Sequence, residues 1–417
     1  MLTWDQPGKD YQTPMWKTTS LPWRLILVTQ KRRIIPPKVG RRKSKKYLSI
    51  RLLTAYDRPL YDLQLSTLYF SNVFFRCPGR YLRAKVRHRT PEVILVKARI
   101  DVVGIGLNAT DTVVIVPRSP APGGKVRIRS VVRQAGGQMA TAMVTCQRLG
   151  LHARYIGRVG DDDAGRFQLA SLRQEGLDLR YVRVVRGAMN QLAYIIVDQT
   201  SGERTVYWDR DPRLAVLPSD LTGDYLGSAK VLHLDGCDVR ACLRAARQAQ
   251  RLGIPMVADL DTVYPKIERL LPHLDYLVAS SDFPPALMGT EDPFESLAVM
   301  SREYKIHAAG MTLGRDGALV FSAGRYYYSP GFVVDAVDTT GAGDVFHGAL
   351  VYGLVRGWEM ERLLDFANAM AGLNCTALGA RGGIAKETEA DQLIAKGKRR
   401  VNREYVRSGG GKGSAGR

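Results

Sequence analysis

Asp338-Thr-Thr-Gly-Ala-Gly-Asp344-Val-Phe-His-Gly-Ala-Leu350 decides how the rest of this 417-residue chain is read. A β-like run, Tyr326 to Val337, leads into it, and a helical pattern continues past it through Tyr352, Leu354 and Val355. Glycines at 341 and 343 allow a tight turn and leave backbone N–H groups uncovered where the helix begins. Such a helix start attracts anions, because the free donors and the positive end of the helix dipole point the same way. Asp344 sits inside that turn. A carboxylate placed where a phosphate docks opposes binding, since the two charges repel. It is useful if it takes a proton from a hydroxyl that then attacks the phosphate. Read alone, G-x-G-D also fits a plain strand-to-helix turn with Asp344 as an N-terminal helix charge.

The longer string, D-T-T-G-A-G-D-x-F-x-G-A, resembles the second signature of the ribokinase-like (PfkB) family of carbohydrate and nucleoside kinases. The resemblance implies that Asp344 is the general base and that the amides of Gly341, Ala342 and Gly343 form an anion hole for the transferred phosphoryl group. It extends over roughly residues 99–390, in the family's order. Ala135-Gly-Gly-Gln-Met-Ala-Thr141 and the helical run to Gly150 correspond to the first signature. By that correspondence Gly136, Gly137, Gln138 and Thr141 face the substrate, together with Asp111 just after the first strand and Arg204. Thr312 and Gly314, in Thr-Leu-Gly, and Asn368 fall where members contact ATP, and Gly379–Gly383 closes the nucleotide pocket. Asp338 and Thr340 fall where many members hold a monovalent cation such as K+.

Two departures limit the inheritance. Many members carry Asn where this chain has Thr141, so ribose or fructose is not implied as substrate. Where the family often has an Asn-x-x-Glu element that organises Mg2+ and its waters, this chain has Ser280 and Phe283, with Asp282 one residue away.

Around these motifs the grammar is that of an α/β protein. Strand-like runs at Ile100–Ile105, Lys230–Leu234, Met256–Asp259 and Tyr276–Ala279 alternate with helical segments, as in a parallel sheet covered on both faces. With the resemblance, the expected fold is a ribokinase-like three-layer α/β/α sandwich with a small β-sheet lid. The lid segments are expected near 111–133 and 190–209, and the resemblance gives the lid a second use as a homodimer surface. Asp235 and Asp259, at strand ends, are candidates for the site, with simple capping as the alternative. The acidic triplet Asp161–Asp163 reads as a helix N-cap cluster. Gly104-Ile-Gly106 resembles a dinucleotide fingerprint, but Thr112–Val116 and Pro117, Pro120 and Pro122 follow in place of the helix it requires. No Walker A or His-Arg-Asp sequence is present.

The net charge of +21 belongs to the ends of the chain. Residues 1–98 carry 21 Lys/Arg against 5 Asp/Glu and residues 396–417 carry 8 against 1, which leaves 99–395 near neutral at −2. The expected organisation is a basic extension over 1–98, a kinase domain over 99–395 and a basic flexible tail over 396–417. The extension reads as a disordered arm, or as a start assigned too far upstream with translation beginning near 93–99. Nucleic acid is not expected as a partner of the kinase domain. Five cysteines without paired or metal spacing suit reduced thiols in a cytoplasmic protein, and no apolar run reaches the ~20 residues of a membrane helix. The expectation is an ATP- and Mg2+-dependent kinase acting on a hydroxyl of a sugar or sugar-like molecule. A nucleoside kinase, a non-catalytic sugar sensor and a nucleic-acid-binding basic arm stand as alternatives.

Overall fold

The computed structural model describes residues 99–200 and 204–406, and the backbone of six strands upstream. Those strands are Gln30–Arg32 (β1), Tyr47–Leu53 (β2), Pro59–Ser66 (β3), Val73–Cys77 (β4), Arg80–Arg87 (β5) and Thr90–Lys97 (β6), in two three-stranded sheets. The chain divides into two compact units, one of residues 1–76 and 81–96 and one of 77–80 and 97–417. The expectations for the extension and for the tail beyond residue 406 lie largely outside the described residues.

The larger unit is built on an eight-stranded sheet. Its strands are Val102–Ile105 (β7), Ala153–Ile156 (β10), Val231–Leu234 (β15), Met256–Ala258 (β16), Tyr276–Ser280 (β17), Ala308–Thr312 (β18), Ala318–Ser322 (β19) and Arg325–Ser329 (β20). They lie in the order β10-β7-β15-β16-β17-β18-β19-β20, parallel up to β18 and antiparallel at the last two. The central parallel strands are mostly Val, Leu, Ala, Ile and Met and are buried on both sides, as a doubly covered sheet requires, whereas the edge strand β20 is Arg-Tyr-Tyr-Tyr-Ser.

Strand periodicity sorts the residues into two cores. Val103, Ile105, Leu232, Leu234, Met256, Ala258 and Leu277 face one layer, which contains Val239–Arg251 (α3), Phe283–Met288 (α4) and Pro293–Tyr304 (α5). Val102, Val231, Val257 and Val278 face the other, with Gln138–Arg148 (α1), Asp163–Gln174 (α2), Ala342–Arg356 (α6), Met360–Asn374 (α7) and Glu387–Lys396 (α8). This is the expected three-layer sandwich.

A four-stranded sheet forms the lid. Its strands are Ala109–Val116 (β8), Ser130–Gly136 (β9), Leu192–Asp198 (β13) and Arg204–Asp209 (β14), in the order β14-β13-β8-β9. Two short pairings complete the unit: Arg158–Gly160 (β11) with Arg183–Val185 (β12), and Gly331–Phe332 (β21) with Arg399–Arg400 (β22).

Local boundaries differ from those expected. Within and just beyond the expected lid segment 111–133, the second strand runs from Ser130 to Gly136, past the expected end, because its backbone partners are residues 109–115 of β8. The β-like run into the glycine turn stops at Phe332, and residues 333–341 cross as irregular chain. Asn368, expected at the nucleotide, lies inside α7, which starts at Met360.

Candidate active site

Two glycine turns, each at the start of a helix, frame the site. Gly137, at φ 91°, is the N-cap of α1 and has no room for a side chain, because a Cβ there would overlap the backbone of Asn108 and Ala109. Gly341, at φ 74°, is the N-cap of α6, and a Cβ there would stand 2.6 Å from the Cα of Ala380. No side chain caps α6, so its first amides stay available to a ligand. Among the three expected hole amides, Ala342 N–H leans on Thr339 O at 3.3 Å. Gly343 is exposed with open space around it.

Asp338 clamps this turn. Its two carboxylate oxygens accept the amides of Thr340 (2.9 Å) and Gly379 (2.8 Å), and Asn374 Nδ2 donates to the carbonyls of Thr340 and Ala380, each at 3.2 Å. The Thr340 hydroxyl oxygen is buried without a partner. Arg204, expected at the substrate, donates from the lid to Thr339 Oγ1 at 2.6 Å and so ties β14 to the turn before α6.

Asp111 is not a turn aspartate. It lies in β8 opposite Gln134 and Ala193, 6% exposed, with its carboxylate packed over Gly136 where a Cβ would clash. Burial raises its carboxyl to about 6; the charge of Arg381 opposes the rise and that of Asp338 adds to it. Asp344 is partly exposed, and its carboxyl is held well above the ordinary range. Burial is the main cause, with the charges of Asp259 and Asp111 adding and those of His347 and Arg381 opposing. Lid aspartate, helix aspartate and guanidinium thus share one electrostatic site, although 233 residues separate Asp111 from Asp344 in the chain.

Arg381 escaped sequence reasoning. Its guanidinium is buried and, among the described residues, donates to three neutral acceptors: Thr141 Oγ1 (3.2 Å), Ser171 Oγ (3.3 Å) and Gly136 O (2.9 Å). The lone basic residue in Gly379-Ala-Arg-Gly-Gly383 was the available signal. Arg381 also corrects Thr141, which is fully buried and accepts from this guanidinium, so its hydroxyl does not line a cleft. Gln138 stays partly exposed and reaches Asp259 O at 3.4 Å.

The nucleotide candidates separate. Gly314, at φ 56°, has open space around it, and Thr312 is partly exposed beside it. Asn368 is buried, with Nδ2 spent on Ser329 O (2.9 Å) and Ser329 Oγ (2.8 Å). Asp235 is buried and accepts from Leu107 N, and Asp162 caps α2 by accepting from Gly165 N at 2.9 Å. At the magnesium departure, Phe283 is buried and the Ser280 hydroxyl donates to Asp261 O at 3.2 Å. Among the described residues no group of three or more His, Cys, Asp or Glu side chains could hold a metal, and no helix is long and apolar enough to cross a membrane.

A profile of pfkB family carbohydrate kinases matches residues 98–387. The chain belongs to this family. It is 31% identical over 285 residues to the ATP-dependent ribose-1-phosphate kinase of Halopiger xanaduensis, covering 67% of this chain and 93% of that one. It is 26% identical over 299 residues to the ribokinase of Bacillus subtilis, covering 70% and 98%. The solved structure of Arabidopsis thaliana ribokinase with ribose and ATP superposes with a TM-score of 0.61 at 22% identity, covering 71% and 99%, and so shares the fold. As a PfkB member the protein is a phosphotransferase acting on a hydroxyl group, within the family's range of sugar and nucleoside kinases.

Proposed function

We propose that this PfkB kinase moves the terminal phosphoryl group of ATP to a hydroxyl of a sugar or sugar-like substrate, with Asp344 as general base. The observation that carries the reading is the uncapped start of α6 with Asp344 in its first turn, together with the first glycine turn, where the Asp111 carboxylate packs on Gly136 and Arg381 donates to the Gly136 carbonyl. Asp111 and the bare backbone at Gly136 and Gly137 hold the substrate hydroxyls, and Gln138 borders them. Asp344 takes the proton as the oxygen attacks. Its raised affinity for protons suits a base that must accept one from an alcohol. The α6 amides stabilise the charge on the group in transfer, and Thr312 and Gly314 border the nucleotide. Arg381 acts through Gly136 and Thr141, holding the first glycine turn in register with Asp344.

Magnesium, which phosphoryl transfer from ATP employs to neutralise phosphate charge, finds no dedicated protein cage at Ser280 and Phe283; the residues there do not supply the expected ligands. The monovalent cation reading fits in part. Asp338 is engaged at both oxygens, and the unpartnered Thr340 hydroxyl oxygen is the atom left for an ion. The lid, with Tyr194, Val206, Tyr207 and Trp208 exposed, is the proposed face for a second copy of the chain.

Asp344→Asn should keep ATP binding by calorimetry and lower turnover by about 10²–10⁴ in a coupled ADP assay. Near-normal turnover would refute the base. A panel of pentoses, hexoses, sugar phosphates, sugar acids and nucleosides identifies the acceptor. Saturable ADP release with a nucleoside alone would replace the sugar reading.

A further inference from the structure

His347 lies one helical turn past Gly343 and is 2% exposed. Its Nδ1 is 2.8 Å from Gly343 O and 3.1 Å from Asp259 Oδ2, and its Nε2 is 2.7 Å from Val278 O. Carbonyl oxygens only accept hydrogen bonds, and a neutral imidazole has a single N–H. With one proton, a ring nitrogen would turn its lone pair on a carbonyl at close range. Only the imidazolium satisfies both carbonyls, and the Asp259 carboxylate beside it supplies the counter-charge. Burial alone would lower the proton affinity of the ring. Asp259 and the two carbonyls outweigh it and bring the group up to about 9.

The charge stays on this ring. His233 of β15 stacks on it, with centroids 5.9 Å apart and planes at 18°. His233 sets Nδ1 against Val257 O at 3.2 Å and leaves Nε2 without a partner. Burial and the charge of His347 hold His233 down to about 4, so it is neutral. The other charged groups facing His347 are Asp259, from the end of β16, and Asp344, on α6 itself. Asp111 from β8 and Arg381 from the loop after α7 act on Asp344 from across the site. From α1, Gln138 reaches the Asp259 carbonyl.

Asp259 and Asp344 repel each other, and His347 attracts both. Without the cation, Asp259 would be a buried, unbalanced negative charge beside the base, and the Gly343 carbonyl would lose a side-chain donor. We propose that His347 is a positioning residue of the transfer site, a permanently charged imidazolium that anchors the Gly343 carbonyl beneath the amide turn and offsets Asp259, leaving Asp344 free to work as a base near neutral pH. The proposal rests on the reading of Asp344 as base, but its central claim, the charge on the ring, can be tested separately.

Nitrogen-15 NMR of the histidine-labelled full chain reads that charge directly. Of the six histidines, one should keep both ring nitrogens protonated at pH 8, where exposed rings are neutral. Six neutral rings at pH 8 would overturn the proposal, whatever Asp344→Asn does. In kinetics, His347→Gln should move the acid limb of kcat/KM upward by about one pH unit or more, because Asp259 is then unbalanced. Adding Asp259→Asn should bring the limb back toward its wild-type position. An unmoved limb in the single variant, or a further loss in the double variant, would mean that His347 merely fills space. If His347→Gln does not fold, the ring-nitrogen measurement decides alone.

Discussion

Asp111 and Asp344 are acids held where ionisation costs stability. Asp111 has a folded-state value near 6 against an unfolded value near 4, so the folded protein binds its proton more tightly. Its contribution to stability is full below about pH 4 and is lost as pH rises through about 6. Asp111→Asn removes the penalty. It should stabilise the protein by ~2–3 kcal/mol at pH 8 and hardly at all at pH 4, measured by urea unfolding at both pH values. In the same variant the KM for the sugar should rise at least tenfold. Equal stability of variant and wild type at pH 8 would show that Asp111 is not strained by burial. At this scale the sequence was informative about chemistry but not about partners. Asp344 is named by its motif, whereas Thr141 reads as a substrate contact until Arg381, 240 residues away, is seen to occupy its hydroxyl.

At the scale of elements, the two glycines of the α6 turn should behave oppositely. Gly341 has a left-handed backbone and abuts Ala380, so Gly341→Ala combines strain with overlap and should cost about 2–4 kcal/mol. Gly343 is in the first turn of the helix with open space around it, so Gly343→Ala should be neutral or stabilising by up to ~1 kcal/mol. Gly343→Ala should still lower turnover, because its methyl group stands where the phosphoryl group is expected. Thermal unfolding paired with the ADP assay separates the two effects. Strand and helix identity was largely readable here, because the buried strands are β-branched or apolar runs between glycine and proline punctuation. Boundaries were less so. Val333–Val337 has strand composition but lacks a ladder partner beyond residue 332; its backbone bonds are isolated ones, Val333 N to Lys398 O at 2.9 Å and Val337 N to Cys375 O at 2.7 Å.

For the whole molecule, the lid leaves β14 exposed along its length, and Tyr207 and Trp208 are 63% and 67% exposed on opposite faces. If a second copy covers this sheet, wild type should run as a dimer in light scattering, and Trp208→Glu should shift it toward monomer and raise the sugar KM. A wild-type monomer at micromolar concentration would rule out the lid interface. The near-neutral body and the basic ends are visible from composition alone.

By itself the sequence determined the α/β alternation and the two glycine turns and named Asp344 as the candidate base, because these depend on local periodicity and on short motifs whose backbone requirements are carried by their own residues. Only the tertiary structure decided which charges meet. Arg381 against Thr141 and Gly136, and His347 between Gly343, Val278 and Asp259, bring together elements far apart in the chain. Their protonation follows from burial and from neighbours distant in the chain, which no local pattern of residues encodes.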